Sequence, residues 1–143
     1  MIVDTWFLSE GKIDELPALI RGREMLPAAV SPSSHAKLLR ISWDYEGDPV
    51  TRMPSEADAR EMGEFEELIL PVLEQDNMCA LFAVVTYDGQ RLWQFYCRDK
   101  ASTQAAISQA LGAQGDLPID LEMDDDPEWT ALSRILEDTD RPH

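Results

Sequence analysis

The chain has 143 residues, a length that suits one domain (residues 1–143) whose core can hold without disulfides or metals. Hydrophobic content of 44% with four tryptophans excludes a disordered chain, and a net charge of −16 opposes binding to phosphate backbones and to anionic membranes. A basic protein partner fits such a field; nucleic acid and membrane do not.

The opening residues, MIVDTWFLSEGK, lack the basic region and long apolar segment of a secretory signal. No apolar run approaches the roughly 20 residues a membrane span needs, so the expectation is a soluble, cytoplasmic protein. Residues 2–8 alternate as a first strand, Glu10-Gly11-Lys12 has turn composition, and residues 16–22 suit a second strand, though their Leu, Ala and Arg would also tolerate helix. Two prolines and a serine pair make residues 26–37 a loop. In residues 37–45, Leu39, Ile41, Trp43 and Tyr45 fall on one face and Arg40, Ser42 and Asp44 on the other, the pattern of a strand buried on one side.

Ser55 followed by Asp58 resembles a capping box and opens a helix over residues 55–76, with Met62, Phe65, Ile69 and Val72 as its buried stripe. Pro71 is expected to kink or end it. Asp88-Gly89 between two apolar runs marks a two-residue hairpin, in which opposing residue numbers sum to 177. That register sets Phe82 against Phe95 and Val84 against Trp93. It also sets Cys97 against Ala80 and Cys79 against Arg98, so the only two cysteines point to opposite faces and cannot bridge. Two buried, reduced thiols suit a reducing compartment.

Residues 99–112 form a second helix with Gly112 at its end, and residues 119–125 a strand with Ile119, Leu121 and Met123 inward. A last helix opens at Asp126-Pro127, burying Trp129, Leu132, Ile135 and Leu136. Strand, helix, hairpin, helix, strand predicts an α+β fold: a ferredoxin-like split β-α-β sheet, mostly antiparallel, with an extra N-terminal strand pair and a C-terminal helix.

The run Asp124-Asp125-Asp126 before Pro127 invites a hard-cation site with Glu128. It lacks the spaced acids and the glycine of a cation loop. Asp126 has a capping task, Glu128 suits the positive end of a helix dipole, and Asp120, Glu122 and Asp124 point outward on strand parity. Histidine is confined to His35 and His143, so a nucleophile–base pair could come only from Ser33 or Ser34 beside His35, and the usual zinc sites are excluded. Trp93 and Phe95 are core residues before they are base-stacking platforms. Glu64, Glu66 and Glu67 form no isolated carboxylate pair. No catalytic residue, metal ligand or cofactor is assigned.

Three stretches, MPSEADAREMGEFEELI, AVVTYDGQRLWQFYCRD and DDDPEW, resemble in order and spacing the bacterial family catalogued as domain of unknown function 695. The best motifs are Gly89, Trp93 and Tyr96 in one strand, and the Asp-Pro-Glu-Trp ending. In character the chain is also similar to acidic proteins of the ribonuclease E inhibitor type. The resemblance implies a small α+β cytoplasmic domain that works by binding a protein, and it carries over no catalytic residue. The leading expectation is thus an inhibitor, immunity or regulatory factor whose acids face a basic partner. Its candidate contacts are Trp6, Glu64, Glu67, Asp120, Glu122, Asp124 and Asp125. The alternatives are a metal-dependent hydrolase using the Asp124–Glu128 cluster, and a homodimer formed through a sheet edge or Trp6.

Overall fold

The computed structural model describes residues 6–13, 15–23, 26, 28–112 and 118–138. Strands β1 (Trp6–Ile13), β2 (Leu16–Arg23), β3 (Lys37–Asp44), β4 (Cys79–Tyr87), β5 (Gln90–Cys97) and β6 (Ile119–Asp125) form one sheet in the order β1-β2-β4-β5-β3-β6. Every neighbouring pair is antiparallel. Helices α1 (Glu56–Leu73) and α2 (Lys100–Leu111) connect its strands, and α3 (Thr130–Asp138) follows β6. An α+β fold with an extra N-terminal strand pair, expected from the sequence, is what forms.

Residues alternate across a strand, so the sheet has two faces and each needs a cover. Leu39, Ile41 and Trp43 of β3, Trp93 and Phe95 of β5 and Leu81 and Val84 of β4 meet Met62, Phe65, Ile69 and Leu73 of α1 and Ile107 of α2. Phe65 lies between Trp43 and Trp93, with ring centroids at 5.6 and 5.0 Å. On the opposite face Leu38, Phe82, Ala83 and Tyr96 pack beneath Leu132 of α3.

Several boundaries differ from the sequence reading. Glu10-Gly11-Lys12 is no turn but the middle of β1, which pairs with β2 until Ile13 meets Leu16. Reversal occurs one step later, where Glu15 takes φ 70°. The expected first strand began at residue 2; residues 2–5 lie outside the described residues. In α1, Ser55 does cap, accepting the Asp58 amide at 3.1 Å. The helix runs two residues past Pro71, and Leu73 rather than Val72 completes the buried stripe. A proline this close to a helix end removes only one of the last bonds.

The hairpin register is the larger correction. Val84 faces Trp93 as expected, but Leu81, not Phe82, faces Phe95, because a β-bulge between Leu81 and Ala83 inserts one residue. Beyond it Cys79 faces Cys97 directly. Where β2 stops pairing at Ala83, the Glu74 carboxylate takes over the edge and accepts the Leu81 amide at 3.2 Å.

Both central residues of the hairpin turn have positive φ, 46° at Asp88 and 79° at Gly89. A Cβ at Gly89 would stand 3.0 Å from the Arg52 guanidinium and 3.3 Å from the Tyr45 carbonyl. The Gly89 amide donates to the Arg52 carbonyl, so the turn is fixed against the 46–54 loop. Gly89→Ala should therefore lower stability by about 1–2 kcal/mol in urea unfolding, the cost of a left-handed non-glycine residue. An unchanged midpoint would show that the loop gives way freely.

Candidate functional site

The three consecutive aspartates go to three separate partners. Asp124 lies 3.4 Å from the Arg40 guanidinium across β3, and Asp125 pairs with Lys37. Asp126 turns inward. Its carboxylate accepts the Tyr96 hydroxyl at 2.7 Å and the amides of Thr130 and Ala131 at 2.8 and 3.0 Å. The Leu132 amide in turn donates to the Tyr96 oxygen at 3.2 Å. Asp126 is thus a cap for α3, as expected, but the helix starts at Thr130 instead of Pro127. Pro127 and Glu128 occupy a turn closed by the Trp129 amide donating to the Asp126 carbonyl. Trp129 is held at φ 54°, with its ring stacked 4.7 Å from Tyr96 and its Nε1 donating to the His35 carbonyl. These contacts outweigh an immediate helix start.

Divergent carboxylates do not make a cation cage. Among the described residues no group of three or more histidine, cysteine, aspartate or glutamate side chains is arranged to hold a metal ion. The Asp124–Glu128 cluster expected for a hydrolase therefore has no convergent geometry behind it.

The remaining acidic candidates separate into two surfaces. β6 is an edge strand, and Asp120, Glu122 and Asp124 stand opposite Ser42, Arg40 and Leu38 of β3. They are exposed and share the α3 face, where three carboxylates meet one guanidinium. On the other face of β6, Ile119 and Met123 pack on the main core, while Leu121 is 48% exposed and not inward as its parity suggests. The short α2 does not cover it. Asp125 shares that face with Lys37. Glu64 and Glu67 are exposed on α1, across the sheet from Asp120, Glu122 and Asp124. Trp6 pairs through its backbone with Arg23, and its side chain lies outside the described residues.

Two polar arrangements were less legible in the sequence. His35 is fully buried, with Nδ1 2.6 Å from Ser34 Oγ and Nε2 2.6 Å from the Asn77 carbonyl. A carbonyl can only accept, so Nε2 donates to it. Those are the contacts of a nucleophile–base pair. The amides of Ser34 and His35 both donate to the Ser31 carbonyl, however, which leaves neither for an oxyanion. The ring pins the 31–36 loop to the turn after α1. The second arrangement is a cleft of about 180 Å³ lined by Leu8, Leu19, Arg21, Val84, Thr86 and Arg91. Arg21 pairs with Glu66, Arg91 donates through Nε to Thr86 Oγ1 at 2.9 Å, and burial lowers the Arg91 pKa. The sequence hid this cleft because its arginines come from strands that are distant in the chain.

What these surfaces describe is a small acidic α+β protein whose carboxylates face outward, cap helices or, like Glu66 and Glu74, meet a donor on the sheet. The chain belongs to the DUF695 family, a family of unknown function, whose model matches residues 4–136. No curated protein and no solved structure matches it. No helix among the described residues is long and apolar enough to cross a membrane.

Burial raises the pKa of Asp126, but the Ala131 amide, the Tyr96 hydroxyl and the Thr130 amide together outweigh it and hold the carboxyl below its ordinary 3.8. A lowered folded pKa means stability that is complete above the unfolded value and lost as pH falls through the folded one. Asp126→Ala should cost about 2–3 kcal/mol near neutral pH, a lost cap plus a buried hydroxyl left unpaired. Between about pH 5 and about pH 3 the wild type should lose stability more steeply than Asp126→Asn. Parallel decline of the two in urea unfolding would remove Asp126 from this role.

Proposed function

We propose that the chain is an acidic protein-binding domain of inhibitor, immunity or regulatory type that docks a basic partner along β6. One observation carries this: an edge strand with Asp120, Glu122 and Asp124 on alternate positions and an uncovered Leu121 between them. An edge strand offers unpaired backbone groups, to which an extended segment of a partner can add. Lysine or arginine side chains on that segment would face the acids, and an apolar one would cover Leu121. The wider field of the chain, with Glu64, Glu67 and Asp125, would speed encounter and reject acidic competitors. It is the working principle expected of an acidic inhibitor of the ribonuclease E inhibitor type.

The same charges oppose β6 pairing with its own copy, since like carboxylates would stand together. A homodimer would have to use the β1 edge or Trp6. The order β4-β5-β3-β6, with α1 and α2 as connections, supports a ferredoxin-like split β-α-β reading of the central strands. Six strands in one sheet support one domain over residues 1–143. The free thiols of Cys79 and Cys97 favour the cytoplasm.

Binding to an immobilised extended peptide of alternating lysine and leucine tests the docking reading. Wild type should bind and be released progressively by salt. Asp120→Asn/Glu122→Gln/Asp124→Asn should weaken binding by about tenfold or more, while Glu64→Gln/Glu67→Gln leaves it nearly unchanged. Equal losses in the two variants would reduce the effect to net charge and sink β6 as the site.

A further inference from the structure

The bulge in β4 that shifts the hairpin register brings the only two cysteines of the chain onto one rung. Cys79 and Cys97 are direct partners in the β4–β5 ladder, 1% and 0% exposed. The Arg98 amide donates to the Met78 carbonyl at 3.1 Å. That makes the 78–98 rung a hydrogen-bonded pair, so the next rung, 79–97, belongs to the non-hydrogen-bonded class. Such pairs hold their Cα atoms about 4.5 Å apart, with side chains on the same face and close together. A disulfide needs a Cα separation of about 4.4–6.8 Å. The rung already has the dimensions of a bridge.

The surroundings divide the labour between the two sulfurs. Thr103, fully buried in the first turns of α2, donates its hydroxyl to the Asp99 carbonyl at 2.7 Å. Its oxygen lies 3.4 Å from Cys79 Sγ. The Cys97 thiol hydrogen-bonds to Cys79, which lowers the Cys79 pKa against the effect of burial, and the Thr103 contact lowers it further. The same interaction, together with burial, pushes Cys97 up. Cys79 is accordingly the sulfur favoured to ionise first and Cys97 the one that keeps its proton.

We propose that Cys79 and Cys97 are a modification site: a dithiol that closes to an intramolecular disulfide under peroxide. The Cys79 thiolate attacks one oxygen of hydrogen peroxide and the O–O bond breaks. Cys79 becomes a sulfenic acid, and the departing hydroxide leaves as water with the proton that Cys79 released. Cys97 sulfur then attacks Cys79 sulfur. The S–S bond forms, the S–O bond breaks, and the hydroxyl leaves as a second water with the Cys97 proton. The peroxide gains two electrons and the thiol pair loses two. The groove of about 460 Å³ lined by Met78, Arg98, Asp99 and Ser102 abuts this end of the ladder without reaching either sulfur; entry by this route requires the first turn of α2 to open.

The test uses the intact wild-type protein in native buffer, treated with hydrogen peroxide, then denatured, alkylated and weighed. Closure predicts a monomeric chain that has lost two hydrogen atoms, takes no alkyl group and recovers both thiols with dithiothreitol. Arg91 lies between the cysteines, so trypsin should leave residues 61–91 joined to residues 92–98. Cys97→Ser should instead carry its oxidation on Cys79 as sulfenic and then sulfinic acid. Covalent dimers, sulfinic acid on the wild-type cysteines, or two thiols that still alkylate after peroxide treatment would each overturn the proposal.

Discussion

One extra residue in β4 organises both cores. A regular strand from Cys79 to Tyr87 would alternate without interruption, and Leu81 and Val84 would then fall on opposite faces. The bulge between Leu81 and Ala83 turns the parity over, so both reach the α1–α2 face, while Phe82 and Ala83 sit together on the α3 face. Phe82 can then stack on Tyr96 at 4.5 Å, and Tyr96 on Trp129. The bulge also ends the stretch over which β2 can follow β4, which is why Glu74 must satisfy the Leu81 amide. Bulges raise local twist and re-aim side chains. Here one of them sets the depth of both helical layers and the rung shared by the cysteines.

From that stack the C-terminal segment follows. Tyr96, the middle ring of that stack, carries a hydroxyl that needs a partner, and an unpaired one would cost about 1–3 kcal/mol. Asp126 supplies it and spends its remaining lone pairs on the α3 amides. One carboxylate therefore joins a strand, a turn and a helix. Burial and the adjacent carboxylate hold the Tyr96 hydroxyl protonated far above its ordinary range. The two preceding aspartates are used differently: Lys37 and Arg40 meet them at the surface, where such pairs are worth about 1 kcal/mol or less. Three identical neighbours thus go to three partners and do two kinds of work, because strand parity and the turn at Pro127 aim them apart.

Local signals were legible and non-local ones were not. Ser55 announced a helix start because a cap is a contact three residues long, and Asp88-Gly89 announced a turn because both positions need positive φ. β3 showed its main buried side because its other face, polar at Arg40, Ser42 and Asp44, adds only Leu38 to the core beneath α3. β4 is apolar on both faces, so any register buries hydrophobic side chains and the pattern carries no parity to read. That is where the bulge, and the cysteine pairing with it, escaped. β1 misled for the reverse reason: Gly11 has turn chemistry, yet nothing lies within 4 Å of a Cβ built there, and an open edge strand accepts it. Of the candidate contacts, Asp120, Glu122 and Asp124 came together because β6 alternates cleanly. Glu64 and Glu67 did not join them, since no sequence pattern states which sheet face a helix covers.

Stability alone gives no reason for so many acids. With 28 aspartates and glutamates against 12 lysines and arginines, one-to-one pairing throughout would still leave 16 carboxylates uncompensated. Their mutual repulsion works against the compact state, and salt screens it only beyond about 8 Å. Solubility is one return on that cost, but solubility is indifferent to position. Placement on β6 is not indifferent: the acids occupy every second residue of an open edge, on one face, with an apolar side chain left uncovered at the centre. In the proposed docking, carboxylates in that position would oppose the chain's own edge and leave backbone groups for a segment of opposite charge. Under the docking we propose, a strand that is to refuse copies of itself and accept a basic segment needs alternating acids and an uncovered apolar side chain at once, and β6 carries both.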